Sequence, residues 1–296
     1  MLYVVLAVLC SVLLGFIFKL FPRFGVDTFQ AIVFNYITCV LCGWVHIGEF
    51  PAHPGVGTFL WQPYAMMLGL VFVSGFNLAA QTVRHFGVTV SQIMQRMSIL
   101  MTVPFAVLLY QESAGILKIM GILAAIGAII LSNWPKKNAA AQLPADGVVK
   151  KAWLWAIPFF TWLLAAVIEV TFLFLEKESY IQPGDVRFIC TVFFTAGLIG
   201  MTVAGTGWIR GTMQFSWRNV LAGIILGIPN YGSMLFLLLA LSSGMEGSFV
   251  FPVTNVAIIL LTTIGAVSVF KERLSTINWA GVLLSVLAIT LISMKL

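Results

Sequence analysis

The chain has 296 residues, of which 60% are hydrophobic and only 9% are charged. A soluble domain carries about 25% charged residues, and a water-exposed surface of the present composition would be largely apolar, so a soluble globular protein is excluded. The net charge of +6 resides mainly in loops between apolar segments, as expected beside a membrane, and does not indicate nucleic-acid binding. We therefore expect the lipid bilayer to be the solvent of this fold.

Apolar segments follow one another along the chain, and most approach the 20 or so residues that a membrane-spanning helix needs. Helices are expected because an open strand edge finds no hydrogen-bond partners in lipid. The predicted segments are 1–20, 28–48, 64–83, 88–110, 115–134, 152–175, 187–205, 219–241, 246–270 and 276–294. The sequence thus predicts an all-α integral membrane protein with ten transmembrane helices.

A stretch in the middle of the chain is repeated near its end. Residues 94–134 match residues 254–294 at an offset of 160 residues, and Glu112 falls on Glu272. In both copies the last helix carries small residues on one face, which lets two helix backbones approach closely in lipid. These residues are Gly121, Ala125 and Ala128 in the first copy and Gly281, Ser285 and Ala288 in the second.

The repeat extends to the earlier parts of both halves, where Asp27 matches Asp185 at an offset of 158 residues. We predict a first five-helix repeat at 1–134, a basic polar linker at 135–151 and a second five-helix repeat at 152–296. Because five is odd, the second repeat must be inverted relative to the first. Inverted repeats are common in secondary transporters, which bind their substrates between the repeats near the bilayer midplane.

Two ionisable side chains lie inside apolar segments. Such a charge costs about 2.5–3.5 kcal/mol at the centre of a spanning helix, so a function or a partner is expected. Arg96 is the candidate for holding a substrate carboxylate or phosphate through two parallel hydrogen bonds, and the alternative is a structural arginine. Glu169 is the candidate for proton coupling, and the alternative is an ion pair.

Polar residues in other segments predict a cavity between the halves. In the eighth segment, Pro229 removes a backbone hydrogen bond, and the side chains that follow it are expected to line the cavity. The candidate substrate-binding residues are Arg96, Asn77, Gln81, Asn230, Tyr231 and Asn255. Helix packing is the alternative role for the neutral ones. Glu112 and Glu272 are interpreted as architectural acids in turns at the membrane surface, at helix starts where the helix dipole favours negative charge.

The sequence shows none of the common catalytic motifs, and its histidines and cysteines are scattered rather than spaced as metal ligands. We therefore expect no enzymatic activity, no catalytic residue, no cofactor and no metal site.

The repeat ends carry a recognisable pattern. Leu-Tyr-Gln-Glu at 109–112 and Val-Phe-Lys-Glu at 269–272 each follow an apolar helix and precede a helix that carries a glycine. With the two five-helix repeats, this pattern resembles the EamA-like family of the drug/metabolite transporter superfamily. The resemblance implies a multi-pass secondary transporter of the bacterial inner membrane, usually an exporter of amino acids, other metabolites or drugs.

The first helix departs from the pattern of the superfamily. Its small four-helix members use a membrane-embedded glutamate in their first helix as the proton and substrate site. Here Ser11 stands at that position of the first repeat, and Glu169 stands at the matching position of the second. A proton-coupling role would therefore belong to one half only.

The expected function is alternating-access transport of a small amino-acid-like or drug-like solute, with export favoured over import. The expected partners are this substrate, the lipid bilayer and protons as the coupling ion, and a homodimer is a candidate assembly. One alternative is an exchanger for phosphorylated or nucleotide-linked sugars, although Arg96 is the only basic residue deep in a segment. Another alternative is a non-transport scaffold or receptor, for which an inverted repeat has no evident purpose.

Overall fold

The computed structural model describes residues 1–48, 59–86, 88–113, 115–132, 154, 156–269, 271 and 275–293. The predicted linker at 135–151 and Glu272 lie outside these residues. Within them the chain forms helices joined by turns, with no β-strand. The α-helices are α1 Leu2–Leu20, α2 Thr28–Ile47, α3 Gln62–Phe86, α4 Val88–Arg96, α5 Ile99–Tyr110, α6 Ile116–Ser132, α7 Ala156–Lys177, α8 Val186–Ile209, α9 Trp217–Leu241, α10 Gly247–Ser268 and α11 Thr276–Ser293; a short 3-10 helix, Phe21–Phe24, follows α1.

Every predicted apolar segment overlaps a helix, but the fourth, predicted as one helix at 88–110, is divided into α4 and α5. At the division, the amides of Leu100 and Met101 bond to carbonyls three residues back, at 3.0 and 2.9 Å. Such a tightened turn often marks a strained or functional site within a helix. The indole of Trp162 donates to the Met97 carbonyl at 3.0 Å and so stabilises the turn from α7.

Seven stretches of the described residues are long and apolar enough to cross a membrane. They are Leu2–Phe24, Thr28–Ile47, Ile93–Tyr110, Ala156–Lys177, Val186–Ile209, Trp217–Leu241 and Gly247–Gly265; two shorter apolar helices cover Ile116–Leu131 and Thr276–Ile292. The protein is therefore a multi-pass membrane protein.

The matched aspartates Asp27 and Asp185 have the same local role. Asp27 lies at the N-cap of α2 and accepts a hydrogen bond from the Gln30 amide at 2.9 Å. Asp185 lies at the N-cap of α8 and accepts from the amides of Arg187 and Phe188 at 2.9 and 3.2 Å. Since a capping carboxylate satisfies amides that the helix cannot, both aspartates specify where a helix begins.

The chain forms two compact units, and each unit takes helices from both predicted repeats. Unit 1 consists of residues 1–73 and 174–244. In it, α2 packs against both α8 and α9, and α1 packs against α9. Gly227 of α9 makes the α2 contact close, because a Cβ there would lie 2.9 Å from the Asn35 carbonyl oxygen.

Unit 2 consists of residues 74–173 and 245–296. Its most extensive helix pair is α6 with α11, and the predicted small-residue faces meet there. Ala125, Ala128, Ser285 and Ala288 are fully buried. A Cβ at Gly121 would lie 3.0 Å from the Ile292 amide nitrogen, so the two backbones are close. The prediction that these faces support close packing is confirmed.

Candidate functional site

Three side chains from three segments of unit 2 form a continuous hydrogen-bonded chain. Arg96 is the last residue of α4, Glu169 lies on α7 and Asn255 lies on α10. Arg96 Nη1 donates to Asn255 Oδ1 at 2.9 Å, and Asn255 Nδ2 donates to Glu169 Oε1 at 3.1 Å. The two predicted charged residues are thus brought together, with a predicted amide between them.

The second oxygen of the same carboxylate has a partner on α5. Thr102 Oγ1 lies 2.8 Å from Glu169 Oε2 and 3.1 Å from the carbonyl oxygen of Ser98. Thr102 is fully buried, and Asn255 is only 3% exposed. We name Arg96, Asn255, Glu169 and Thr102 the polar chain.

The polar chain leaves hydrogen-bonding capacity at Arg96. A guanidinium carries five N–H donors and accepts nothing. The Arg96 Nε is buried and has no hydrogen-bond partner among the described residues. Asn255 occupies one donor of Nη1, so the guanidinium retains donors for a planar oxyanion such as a carboxylate.

The other two candidates of unit 2 lie on α3. Asn77 and Gln81 are four residues apart, which places them on one face of the helix. Both are exposed. They are therefore surface residues of unit 2, whereas Thr102 and Asn255 of the polar chain are buried and Arg96 and Glu169 are half-buried.

The last two candidates, Asn230 and Tyr231, lie on α9 in unit 1. Asn230 Nδ2 donates to Asn35 Oδ1 at 3.1 Å. The Tyr231 hydroxyl lies 2.7 Å from His46 Nδ1. The helix α9 continues through Pro229, and these two side chains contact α2 within unit 1.

A second polar cluster lies where α10 begins. Glu112, 7% exposed, accepts the Gly247 amide at 2.9 Å and the Ser248 amide at 2.8 Å. The interpretation of Glu112 as an acid at a helix start is confirmed, and the helix is α10. Glu246 in turn accepts the Ser113 amide at 3.2 Å and pairs with Lys118. We name these six residues the α10 clamp, counting Gly247 for its amide.

The charge of Glu246 depends on this clamp. Burial raises the pKa of Glu246, but the hydrogen bonds from Lys118 and Ser113 and the positive charge of Lys118 outweigh burial and hold the pKa below its usual value. Glu246 precedes the spanning stretch Gly247–Gly265. The clamp is therefore an ionic contact at the end of a span.

Sequence reasoning missed Thr102 and Trp162 as members of this region. Their positions in the sequence carry a weak signal, since Thr102 follows Arg96 by six residues and Trp162 precedes Glu169 by two helical turns. Thr102 lies in the same apolar segment as Arg96 and bonds to Glu169 of α7. Trp162 lies on the same helix as Glu169 and bonds to the Met97 carbonyl in the turn between α4 and α5.

Comparisons with known proteins bear on the fold alone. No protein-family model matches the chain. An uncharacterized protein of Haemophilus influenzae is 29% identical over 293 residues, which cover 96% of this chain and 95% of that protein. A protein of known crystal structure aligns with a TM-score of 0.76 over 99% of this chain and 95% of its own. Its sequence identity of 12% limits this likeness to the fold.

Proposed function

We propose that the protein is a secondary transporter that exports a small organic metabolite bearing a carboxylate. In this proposal, ten transmembrane helices in two inverted repeats lie in the bacterial inner membrane, as in the EamA-like family that the sequence resembles. Arg96 binds the substrate anion, and Glu169 carries the coupling proton. A homodimer is the candidate assembly.

The observation that carries the proposal is the polar chain. A buried charge pair is a poor device for stability, because apolar residues of similar volume often serve as well or better. Here the pair is bridged by Asn255 and retains the unpartnered Arg96 Nε. A site with one fixed cation and one proton carrier suits the binding of an anion together with a proton.

The chemistry favours a carboxylate over a phosphorylated sugar. A phosphate group carries up to two negative charges near neutral pH, and Arg96 is the single cation of the polar chain. A carboxylate matches the guanidinium in charge and in its two parallel hydrogen bonds. The exchanger for phosphorylated or nucleotide-linked sugars is therefore the less favoured candidate.

The test compares the metabolites released by cells that express the native chain or Arg96→Ala at equal membrane abundance. A metabolite exported by the native protein should be released about tenfold more slowly by the variant. The reason is that a hydrogen bond to a charged group contributes about 1.5–3 kcal/mol, and 1.4 kcal/mol corresponds to a factor of ten.

The matched control is Arg218→Ala, because Arg218 is exposed near the start of α9. This variant should export like the native protein. Equal release of the same compound by all three proteins would show transport without a role for Arg96. No difference between any of them and cells without the protein would contradict export itself.

A further inference from the structure

The hydroxyl of Thr102 faces two acceptors but has one hydrogen to donate. Glu169 Oε2 lies 2.8 Å from Thr102 Oγ1, and the Ser98 carbonyl oxygen lies 3.1 Å from it. Both distances are within hydrogen-bonding range. A threonine hydroxyl is also an acceptor, and its hydrogen rotates to suit its neighbours.

These distances allow every hydrogen bond to be kept in both protonation states of Glu169. With the carboxylate charged, Thr102 donates to Oε2. With Oε2 protonated, the Glu169 O–H donates to Thr102 Oγ1, and Thr102 turns its own hydrogen to the Ser98 carbonyl. Asn255 Nδ2 donates to Oε1 in both states. No heavy atom has to move, so neither state leaves this part of the carboxyl group unpaired.

We propose that Thr102 is a positioning residue for proton exchange at Glu169, acting by reversing the direction of its hydrogen bond to the carboxyl group. This inference rests on the proposed function in one respect, which is that Glu169 carries the coupling proton. The proton itself is exchanged with water, and no covalent bond to Thr102 forms or breaks.

The groups that act on Glu169 come from each segment packed around it. Arg96, on α4, is the charged one; its charge acts on Glu169, and Asn255 bridges the two side chains. From α5 and the turn before it come Thr102 and Ser98, and α10 contributes Asn255, none of which ionises in the working range. The response of Glu169 to pH is therefore expected to depend on Arg96 and on the Thr102 hydroxyl.

The experiment is an infrared pH titration of the purified full chain in phosphatidylcholine vesicles, without any substrate. The carbonyl band of the protonated carboxyl group is assigned by its loss in Glu169→Gln. In Thr102→Val, which removes the hydroxyl at nearly constant volume, the titration midpoint should rise by about half to one pH unit. The charged carboxylate loses the stronger hydrogen bond, and one pH unit corresponds to 1.36 kcal/mol.

A second readout comes from the band position. The protonated carboxyl group of Thr102→Val loses the Thr102 oxygen as the acceptor for its O–H, so its band should move to higher frequency. Thr102→Ser keeps the hydroxyl and should restore both the midpoint and the frequency. The matched control is Thr262→Val, because Thr262 is the repeat counterpart of Thr102 and its hydroxyl bonds to the carbonyls of Ile258 and Ile259.

Each result has one meaning. An unchanged midpoint and frequency in Thr102→Val overturns the role of Thr102 and leaves the proposed transporter intact. Absence of any band that Glu169→Gln removes, from about pH 4 to pH 10, overturns this inference and proton coupling at Glu169, while the export test of Arg96 still stands. If Thr102→Val does not fold, the native protein decides, because a Glu169 band at the frequency of a free acid overturns the proposal.

Discussion

At the scale of the residue, one carboxamide determines how the two charged groups of the site are joined. Asn255 presents an acceptor to Arg96 and a donor to Glu169. The opposite orientation of the amide would place two donors face to face at Arg96 and two acceptors face to face at Glu169. The two neighbours therefore specify the orientation of Asn255, and Asn255 keeps them apart at a fixed distance.

Substitution of Asn255 tests this arrangement. Asn255→Leu removes both hydrogen bonds and leaves two charged groups without their bridge, so the free energy of unfolding should fall by about 3–5 kcal/mol. Asn255→Asp still accepts from Arg96 but places a second carboxyl group against Glu169. Its stability should rise as the pH is lowered from 8 to about 6, because a pair of close carboxyl groups retains a proton.

Chemical denaturation in detergent, followed by tryptophan fluorescence, gives both quantities. Between pH 8 and about pH 6, the free energy of unfolding should rise less for the native protein than for Asn255→Asp. If Asn255→Leu is as stable as the native protein, the polar chain has no energetic role, and the hydrogen bonds in it do not stabilise the site.

The charged members of this site could be predicted from the sequence because a charge in an apolar segment is rare and costly. Thr102 could not be. A threonine in a helix usually bonds to the carbonyl four residues earlier, as Thr82 and Thr161 do here. Thr102 makes the same local bond, so its contact with Glu169 depends on how α7 packs against α5.

At the scale of the element, the start of α10 depends on residues far away in the chain. Glu112 accepts the amides of Gly247 and Ser248, which are more than 130 positions later. The sequence predicted an acid at a helix start, and Glu112 is one, but the sequence did not indicate that the helix is α10. The turn itself was predictable, whereas the partner depends on the packing of α10 beside α5.

The two acids of the α10 clamp should differ in their contributions to stability. Glu112→Ala leaves two buried amides unpaired and should lower the free energy of unfolding by about 2–3 kcal/mol. Glu246→Ala removes a partly exposed ion pair and should cost less than about 1 kcal/mol. Hydrogen exchange at Gly247 and Ser248 should accelerate in the first variant and change little in the second.

The pH dependence of the clamp follows from the lowered pKa of Glu246. A carboxyl group whose pKa is lower in the folded state stabilises the fold at pH values above its unfolded pKa, and this contribution is lost as the pH falls further. The loss should begin below the usual glutamate value of about 4.3. Glu246→Ala should lack this part of the acid sensitivity, and equal acid curves for both proteins would contradict the assignment.

At the scale of the whole molecule, hydropathy located the helices, because lipid imposes the same requirement on every spanning segment. It did not reveal that the compact units combine residues of both halves. Unit 1 joins residues 1–73 to residues 174–244, and unit 2 contains the rest. This combination depends on which helix faces pack together, as the small residues of α6 and α11 do. The periodicity of a sequence identifies the packing face of a helix but not the helix that packs against it.

The proposed inverted repeat predicts which matched positions lie on opposite sides of the membrane. Phe24 and Gln182 are matched positions at an offset of 158 residues. Phe24 ends the 3-10 helix before α2, Gln182 lies in the loop before α8, and both are exposed. Five crossings separate them in the proposed topology, so they should lie on opposite sides. Phe24→Cys and Gln182→Cys, each in a chain whose native cysteines are alanine, should differ in their reaction with a membrane-impermeant maleimide on intact cells.

The control for that experiment is Thr212→Cys. Thr212 is exposed in the turn between α8 and α9, and the side chain of Gln30 at the start of α2 donates to the neighbouring Gln214 carbonyl at 3.0 Å. This contact places that turn beside the start of α2, so Thr212→Cys should label like Phe24→Cys. If all three positions label alike, an even number of crossings separates the matched sites, and inverted repeats with alternating access between them are contradicted. If Gln182→Cys alone differs, the odd number of crossings that inversion requires is present.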